Sequence, residues 1–554
     1  MKENNAFLAR INGKKLIEIL VPILVGICAF LSIYGLAPLN VFNDQWILSG
    51  YDESDIIQHY AGWLAYRKSE WSFPLGMAKD LAVGTGTIIS FTDSIPLIAI
   101  LFKIFRNYLP ATFQYFGIYT LLCFVLQSIA AFKTIKFMTK NSIYSIIATI
   151  LFTFAPIFME RAFRHTALGS QWLIIFSIYL YLKHSKLQRH TTYVKYLFLE
   201  IMAIGIHPYF LPMVAVFAFL CVVNDIKINK YISIIYLVGI QVVTFLAGIL
   251  LGALGSGVNI SRDGYGYFSM NINALINPTS LGQYEWSTIL KVHPQILGNY
   301  DGFNYLGFGV IVFGIVVIIL AFLLRQHRYL LQVIRQHIYL IVVCLGLTCF
   351  AISNVITYND IILGEIPLPD LLLSLCGMFR ASSRLFYPVY YIIYLFLIIF
   401  LWKILENQNI YAYGILVFIV VLQILDLHEC IIQKHTAMNE KKFYTSYVDA
   451  DLKLRDVASN ADYLLLDEYY GDINMMRTLA VWGAKNDISL FFSIANSGSY
   501  DEMINLANEI LYNIKDEKNL GKNIIVTTKK EVADFYKQYI NCRIYEVDGN
   551  YFLY

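Results

Sequence analysis

The sequence predicts a polytopic α-helical membrane protein that ends in a small α/β domain. Three observations carry that reading. Hydrophobic residues make up 58% of the 554 positions and charged residues only 15%, against about 45–50% and about 25% in soluble domains. Apolar runs near the length of a membrane span recur from residue 16 to residue 428. After Asp426 the composition turns polar, and short β-rich runs alternate with helical patterns. A disordered chain and a soluble enzyme with a small anchor are both excluded. The net charge of +3 argues against nucleic acid as a partner. The 8 cysteines are scattered, most of them in or beside apolar runs, where Cys behaves as a small hydrophobe. No CxxC or Cys/His spacing marks a metal site.

The first apolar run, 16–38, follows Lys2, Arg10, Lys14 and Lys15. No small-residue cleavage site follows it, so it reads as a retained span with a cytoplasmic N-terminus. Ten more candidates follow: 112–132, 142–159, 170–183, 193–207, 209–223, 231–255, 306–325, 337–354, 385–403 and 411–428. His207-Pro208 splits the 193–223 stretch, because proline disfavours helix continuation there. Segment 93–106 is too short to cross comfortably. If it crossed, the basic clusters at 133–140, 183–195, 227–230, 325–335 and Lys403 would fall outside. It is therefore expected as an interfacial helix on the outer face, with about eleven spans in all.

This topology gives a membrane domain over 1–428. Its outer face is built from the loop 39–111, the turn 160–169, and the loops 256–305 and 355–384. Residues 429–554 form an extracytoplasmic domain. Strands are expected at Tyr463–Leu466, Ile488–Phe492, Asn523–Thr527 and Arg543–Val547, with helices at 500–514 and 529–539. This domain carries no phosphate loop, nucleophile elbow or metal cluster, so docking or acceptor positioning is its expected role.

The loop 39–111 holds the densest chemistry. Read as a helix, its segment Gly50–Trp63 puts Asp52, Asp55 and His59 on one face. Ile56, Tyr60, Trp63 and Tyr66 form an adjacent apolar face suited to the interface plane. A carboxylate at the mouth of a bundle can take a proton from a sugar hydroxyl or ligate a divalent cation. A solvated acidic face explains the pattern equally well. Arg161 and Arg164, in the turn that also carries His165, break the positive-inside bias. Arg380 and Arg384 stand at i and i+4 beside the tenth span. Guanidinium pairs at this level suit a lipid-linked phosphate, with snorkelling, a Glu160 ion pair or ordinary phospholipid as the alternatives. His207 stands alone at the outer end of its span, where a structural role is the default. Arg262, Asp263, Tyr265, Tyr267, Tyr284 and Trp286 in the loop 256–305 suit sugar stacking or interface anchoring.

Several of these motifs together carry a family resemblance. They are Asp55-x-x-Gln58-His59-Tyr60-x-Gly62-Trp63, Trp71-x-Phe73-Pro74-Leu75-Gly76, and Phe91-Thr92-Asp93-Ser94-Ile95-Pro96-Leu97. Arg164-His165-x-Ala167-Leu168, His207-Pro208-Tyr209 and Phe379-Arg380-x-Ser382-x-Arg384 complete the set. The pattern resembles a bacterial membrane-protein group similar to the GT-C superfamily of integral membrane glycosyltransferases, over roughly residues 20–400. The resemblance implies transfer of a sugar from a polyprenyl-phosphate donor to a glycan, lipid or protein acceptor on the outer face. It also implies a bacterial inner-membrane location. An acidic residue of the first outer loop is the family's base, a role carried to Asp55, with Asp52 as second candidate. Gln58, His59, His165 and His207 are the expected substrate-binding residues. Where the family pattern often has His, this chain has Gln171.

On this reading Arg380, Arg384 and Arg164 hold the leaving phosphate. The lipid bilayer, the donor and a cell-envelope glycan or lipid are the partners. No firm cofactor is expected; a divalent cation held loosely by Asp52, Asp55 and His59 is left open. The rival functions are a flippase for lipid-linked glycan, which usually shows internal repeats absent here, and an assembly scaffold.

Overall fold

The computed structural model describes residues 13–49, 55–186, 188–254, 264–281, 284–406, 408–440, 448, 451–466, 473–492, 518–554 and scattered positions from 494 to 516. Asp52, Arg262, Asp263 and most of the helix expected at 500–514 lie outside the described residues.

The chain is mostly helical, with a small sheet near its C-terminal end. Among the described residues, five helices are long and apolar enough to cross a membrane: Lys15–Tyr34, Phe116–Thr139, Lys230–Leu251, Ser382–Ile404 and Asn409–Asp426. Phe308–Leu323 and His327–Gln336 pass the same test only as a pair, bent by 117°. Shorter helices fill the remaining apolar runs, among them Ser142–Thr153, Phe210–Ile226 and Ile338–Ile352. Helices suit such runs because they bond their own backbone groups where no water is available.

Phe210–Leu251 is one uninterrupted helical run of 42 residues, yet its two halves run in opposite directions. Along the neighbouring helix Arg189–Ile206, Tyr193 and Tyr196 meet Asp225 and Cys221 of the first half. In the second half Gln241 and Thr244 bond Glu200, and Gly248 lies against Ile204. A straight helix rises about 1.5 Å per residue, so Cys221 and Thr244 would stand roughly 35 Å apart. One short helix cannot touch both in this order unless the run turns back between them.

Ser382–Ile404 is the central helix, with 78% of its apolar window buried, against 22% for Lys230–Leu251. Its tyrosines find partners inside the bundle: Tyr390 donates to the Tyr305 carbonyl at 2.9 Å and Tyr391 to Gln171 at 2.5 Å. Gln171 thus serves packing between helices. Ile318 and Phe322 face outward, as expected of a lipid-contacting surface.

The loop 39–111 folds over one end of the bundle. Ile56–Lys68 forms a helix with both faces largely buried. Pro96–Ile104 is a helix of nine residues that packs on it and on Arg189–Ile206. At roughly 14 Å it is too short for a hydrocarbon core of about 30 Å. The 56–68 helix and the Phe91–Ser94 turn approach so closely that a Cβ at Gly62 would lie 2.2 Å from the Thr92 hydroxyl oxygen. Only glycine permits that approach.

The tail builds a five-stranded sheet in the order 489–490, 463–466, 523–527, 550–553, 544–547. The first three strands are parallel and the last two add antiparallel. The expected strands form; Asn550–Leu553 is an additional one. The tail docks on the outer loop through helix Ile473–Lys485, which packs on Ile56–Lys68. Lys485 pairs with buried Asp44 at 2.7 Å, and Leu490 exchanges backbone bonds with Asp80 and Val83. The first helix beyond residue 428, His428–Asn439, returns to the bundle, where Asn439 donates to the Tyr34 carbonyl at 3.0 Å.

Candidate functional site

Where the outer loop, the 160–169 turn and the central helix meet, they enclose a cavity of about 560 Å³. Asp55, Gln58, Asp93, Arg164, His165, His207, Arg380 and Arg384 all line it, and Arg477 reaches in from the tail. His59 lies just behind, fully buried. The described residues expected from sequence are therefore gathered in one place.

Asp55 is the N-cap residue of Ile56–Lys68, so the helix begins beyond it. Its carbonyl accepts the His59 backbone N–H at 3.0 Å, so the two residues stand one turn apart at the start of the helix. The Asp55 carboxylate accepts a hydrogen bond from Arg477, which also reaches Gln58 at 3.4 Å. Burial alone would raise the Asp55 carboxyl. The charges of His165 and Arg477 beside it hold it below the usual carboxylate range.

Asp93 is the centre of the site. It adopts φ 56°, a left-handed conformation that Asp tolerates better than most residues. One carboxylate oxygen, Oδ1, lies 3.2 Å from His207 Nε2. The Tyr209 backbone N–H donates to His207 Nδ1 at 3.2 Å, so His207 carries its proton on Nε2 and donates it to Asp93. The other oxygen, Oδ2, lies 3.7 Å from both His59 Nε2 and His165 Nδ1. Burial would raise the Asp93 carboxyl, but the His165 and His207 imidazoles facing it hold it well below the usual range. Burial pushes His59 down to about 4, against the pull of Asp93 and Asp55. It also pushes His165 below its ordinary value.

The arginines divide. Arg384 makes a two-point contact with Asp301, at 2.9 Å from each nitrogen. Arg161 bonds the same carboxylate at 2.8 Å and the Tyr387 hydroxyl at 2.8 Å. Burial would raise Asp301; the two guanidinium charges hold it well below the usual range. Arg164 pairs with Glu160, four residues earlier on the same helical turn, and bonds Ser280 at 3.1 Å. Two of the three arginines expected to meet phosphate therefore already hold carboxylates. Arg380 makes no ion pair among the described residues, and its guanidinium lies 5.7 Å from the Phe268 ring centre.

Sequence reasoning assigned no role to Asp93, Asp301 or Arg477. Asp93 had a visible signal, a lone acid between Thr92 and Ser94 ahead of a proline-started helix. Asp301 had only its place beside Gly302, and Arg477 sits in an ordinary amphipathic pattern.

Residues 23–428 match a family model described as "Domain of unknown function (DUF6311)". No curated protein matches the chain.

Proposed function

The chain belongs to the DUF6311 family, and for it we propose a membrane glycosyltransferase of GT-C type that works at the outer face of a bacterial inner membrane. The reading includes eleven spans, a cytoplasmic N-terminus and a C-terminal domain outside. The donor is a polyprenyl-phosphate-linked sugar. The acceptor is a cell-envelope glycan or lipid.

One observation carries it. A half-buried carboxylate, Asp55, and an arginine without an acidic partner among the described residues, Arg380, line the same cavity at an end of an apolar bundle. A lipid-linked sugar phosphate needs that pairing: a cation for the phosphate, a base for the incoming hydroxyl and an apolar side for the chain. In the transfer the acceptor oxygen forms a bond to the anomeric carbon and passes its proton to Asp55. The bond from that carbon to the phosphate oxygen breaks. Both electrons leave with polyprenyl phosphate, beside Arg380.

The test uses full-length protein in lipid nanodiscs, with a polyprenyl-phosphate hexose donor and an envelope glycan fraction as acceptor. Mass spectrometry follows the transferred sugar. Asp55→Asn is expected to lower transfer at least ~100-fold while the protein still inserts and folds. Undiminished transfer would remove Asp55 from the mechanism.

A further inference from the structure

We propose that His59, Asp93 and His165 form a binding site for one divalent transition metal, with zinc the best match, in the floor of the outer cavity. The inference goes beyond the transferase reading and does not depend on it.

The argument starts from two buried nitrogens. His59 Nε2 and His165 Nδ1 are shielded from solvent and have no hydrogen-bond partner. Each lies 3.7 Å from the same oxygen, Asp93 Oδ2, too far for a hydrogen bond. The three ligand atoms all lie within 4.8 Å of one another. Buried polar atoms are normally paired, so two orphans aimed at one carboxylate oxygen need an explanation.

The proton positions supply it. Thr166 Oγ1 donates to the Phe163 carbonyl at 3.2 Å, so it accepts from His59 Nδ1, 3.2 Å away. His59 therefore carries its proton on Nδ1, and Nε2 presents a bare lone pair to a carboxylate oxygen. Two electron-rich atoms facing each other in a dry pocket repel unless a cation lies between them. The opposite oxygen of Asp93 is held by His207, which turns Oδ2 toward the pair.

The surroundings fit a metal. Ligating histidines are normally oriented through their other nitrogen. Here Thr166 does this for His59; His165 Nε2 lies 3.5 Å from the Arg384 guanidinium and 3.7 Å from Asp301 Oδ1, which fix the ring by charge and not by an acceptor within bonding distance. Two imidazoles and one carboxylate favour zinc-like ions over magnesium or calcium, which prefer oxygen. Ligands about 2.1 Å from a tetrahedral zinc stand roughly 3.4 Å apart, so each histidine would close on Asp93 by about 0.3 Å, and the two imidazole nitrogens, within 4.8 Å of each other, would close by up to about 1.4 Å. Asp55 Oδ2, 3.6 Å from His165 Nδ1, marks the cavity side, where a fourth ligand would enter.

The test uses purified full-length protein in detergent, stripped with a chelator and titrated with CoCl2, whose visible absorption reports ligand geometry. ZnCl2 then competes. Wild type and the remote control Lys68→Ala are expected to bind one equivalent of cobalt, which zinc displaces. His165→Ala and Asp93→Asn are expected to bind at least 100-fold more weakly. Thr166→Val leaves the ligands in place and removes only the outer hydrogen bond. It is expected to bind about 10–100-fold more weakly, and it keeps the test open if a ligand variant does not fold. Wild-type binding no tighter than that of both ligand variants would overturn the proposal. Displacement of cobalt by equimolar MgCl2 would overturn the assignment of metal class.

Discussion

Two aspartates beside histidines, Asp225 buried and Asp93 lining the cavity, stand at opposite ends of helix 210–226, and they are built differently. At the far end, both oxygens of Asp225 are taken. His184 Nε2 lies 3.0 Å from one, and Tyr193 donates to the other at 2.9 Å, with Arg189 at 3.5 Å. At the cavity end, Asp93 has one oxygen bonded to His207, and its second faces two nitrogens that bond nothing. The residue types are nearly the same. What separates them is saturation: a carboxylate with every lone pair matched holds the fold, while a half-matched one has capacity left for a ligand.

The contrast can be broken by measurement. The largest effect is expected where saturation is most complete and most charged, at Asp301. Asp301→Ala leaves Arg161 and Arg384 buried without their anion, a loss of about 3–5 kcal/mol. Thermal melting in detergent should show it as a steep fall or as loss of folded protein, and unchanged melting would show that those charges find other partners. Next comes the pair itself. Asp225→Asn is expected to cost about 1–3 kcal/mol of stability and to leave both sugar transfer and cobalt affinity unchanged. Asp93→Asn should reverse that profile, with near-normal melting of the metal-stripped protein and loss of cobalt affinity. Equal profiles for the two variants would erase the distinction. The smallest effect is expected at the surface contact between Lys68 and largely exposed Asp487. Lys68→Ala should move stability by less than about 1 kcal/mol, and less still in high salt.

The helices were legible because apolar runs can do little else in a membrane. The short 96–104 helix was legible as too short to cross because the segment from Asp93 to Arg106 holds only about fourteen residues. The turn-back inside 210–251 was legible from Lys227 and Lys230, where secondary structure alone suggests one long rod. The last strand was open to reading and not read: Asp548-Gly549 is a strong hairpin signal, and both residues adopt positive φ. Gln58, His59, His165 and His207 stood out individually, but nothing in the sequence brings 59, 93, 165 and 207 to one point. That convergence depends on how a loop packs over three helices, and on glycine at 62 to let it close. The arginines misled for a related reason. Arg164's partner, Glu160, was in reach and weighed as an alternative, but Arg384's partner, Asp301, comes from a distant segment, so a count of charges near a membrane boundary could not tell that guanidinium from the one at Arg380.

Asp55 and its partner Arg477 are separated by 422 residues. A ribosome adding roughly 5–20 residues each second needs about twenty to eighty seconds to cover that distance. During this interval the 39–111 loop has already been made, and the wall that the tail supplies does not yet exist. Each new molecule therefore passes through a period in which its cavity is open on one side, until a segment 422 residues downstream closes it.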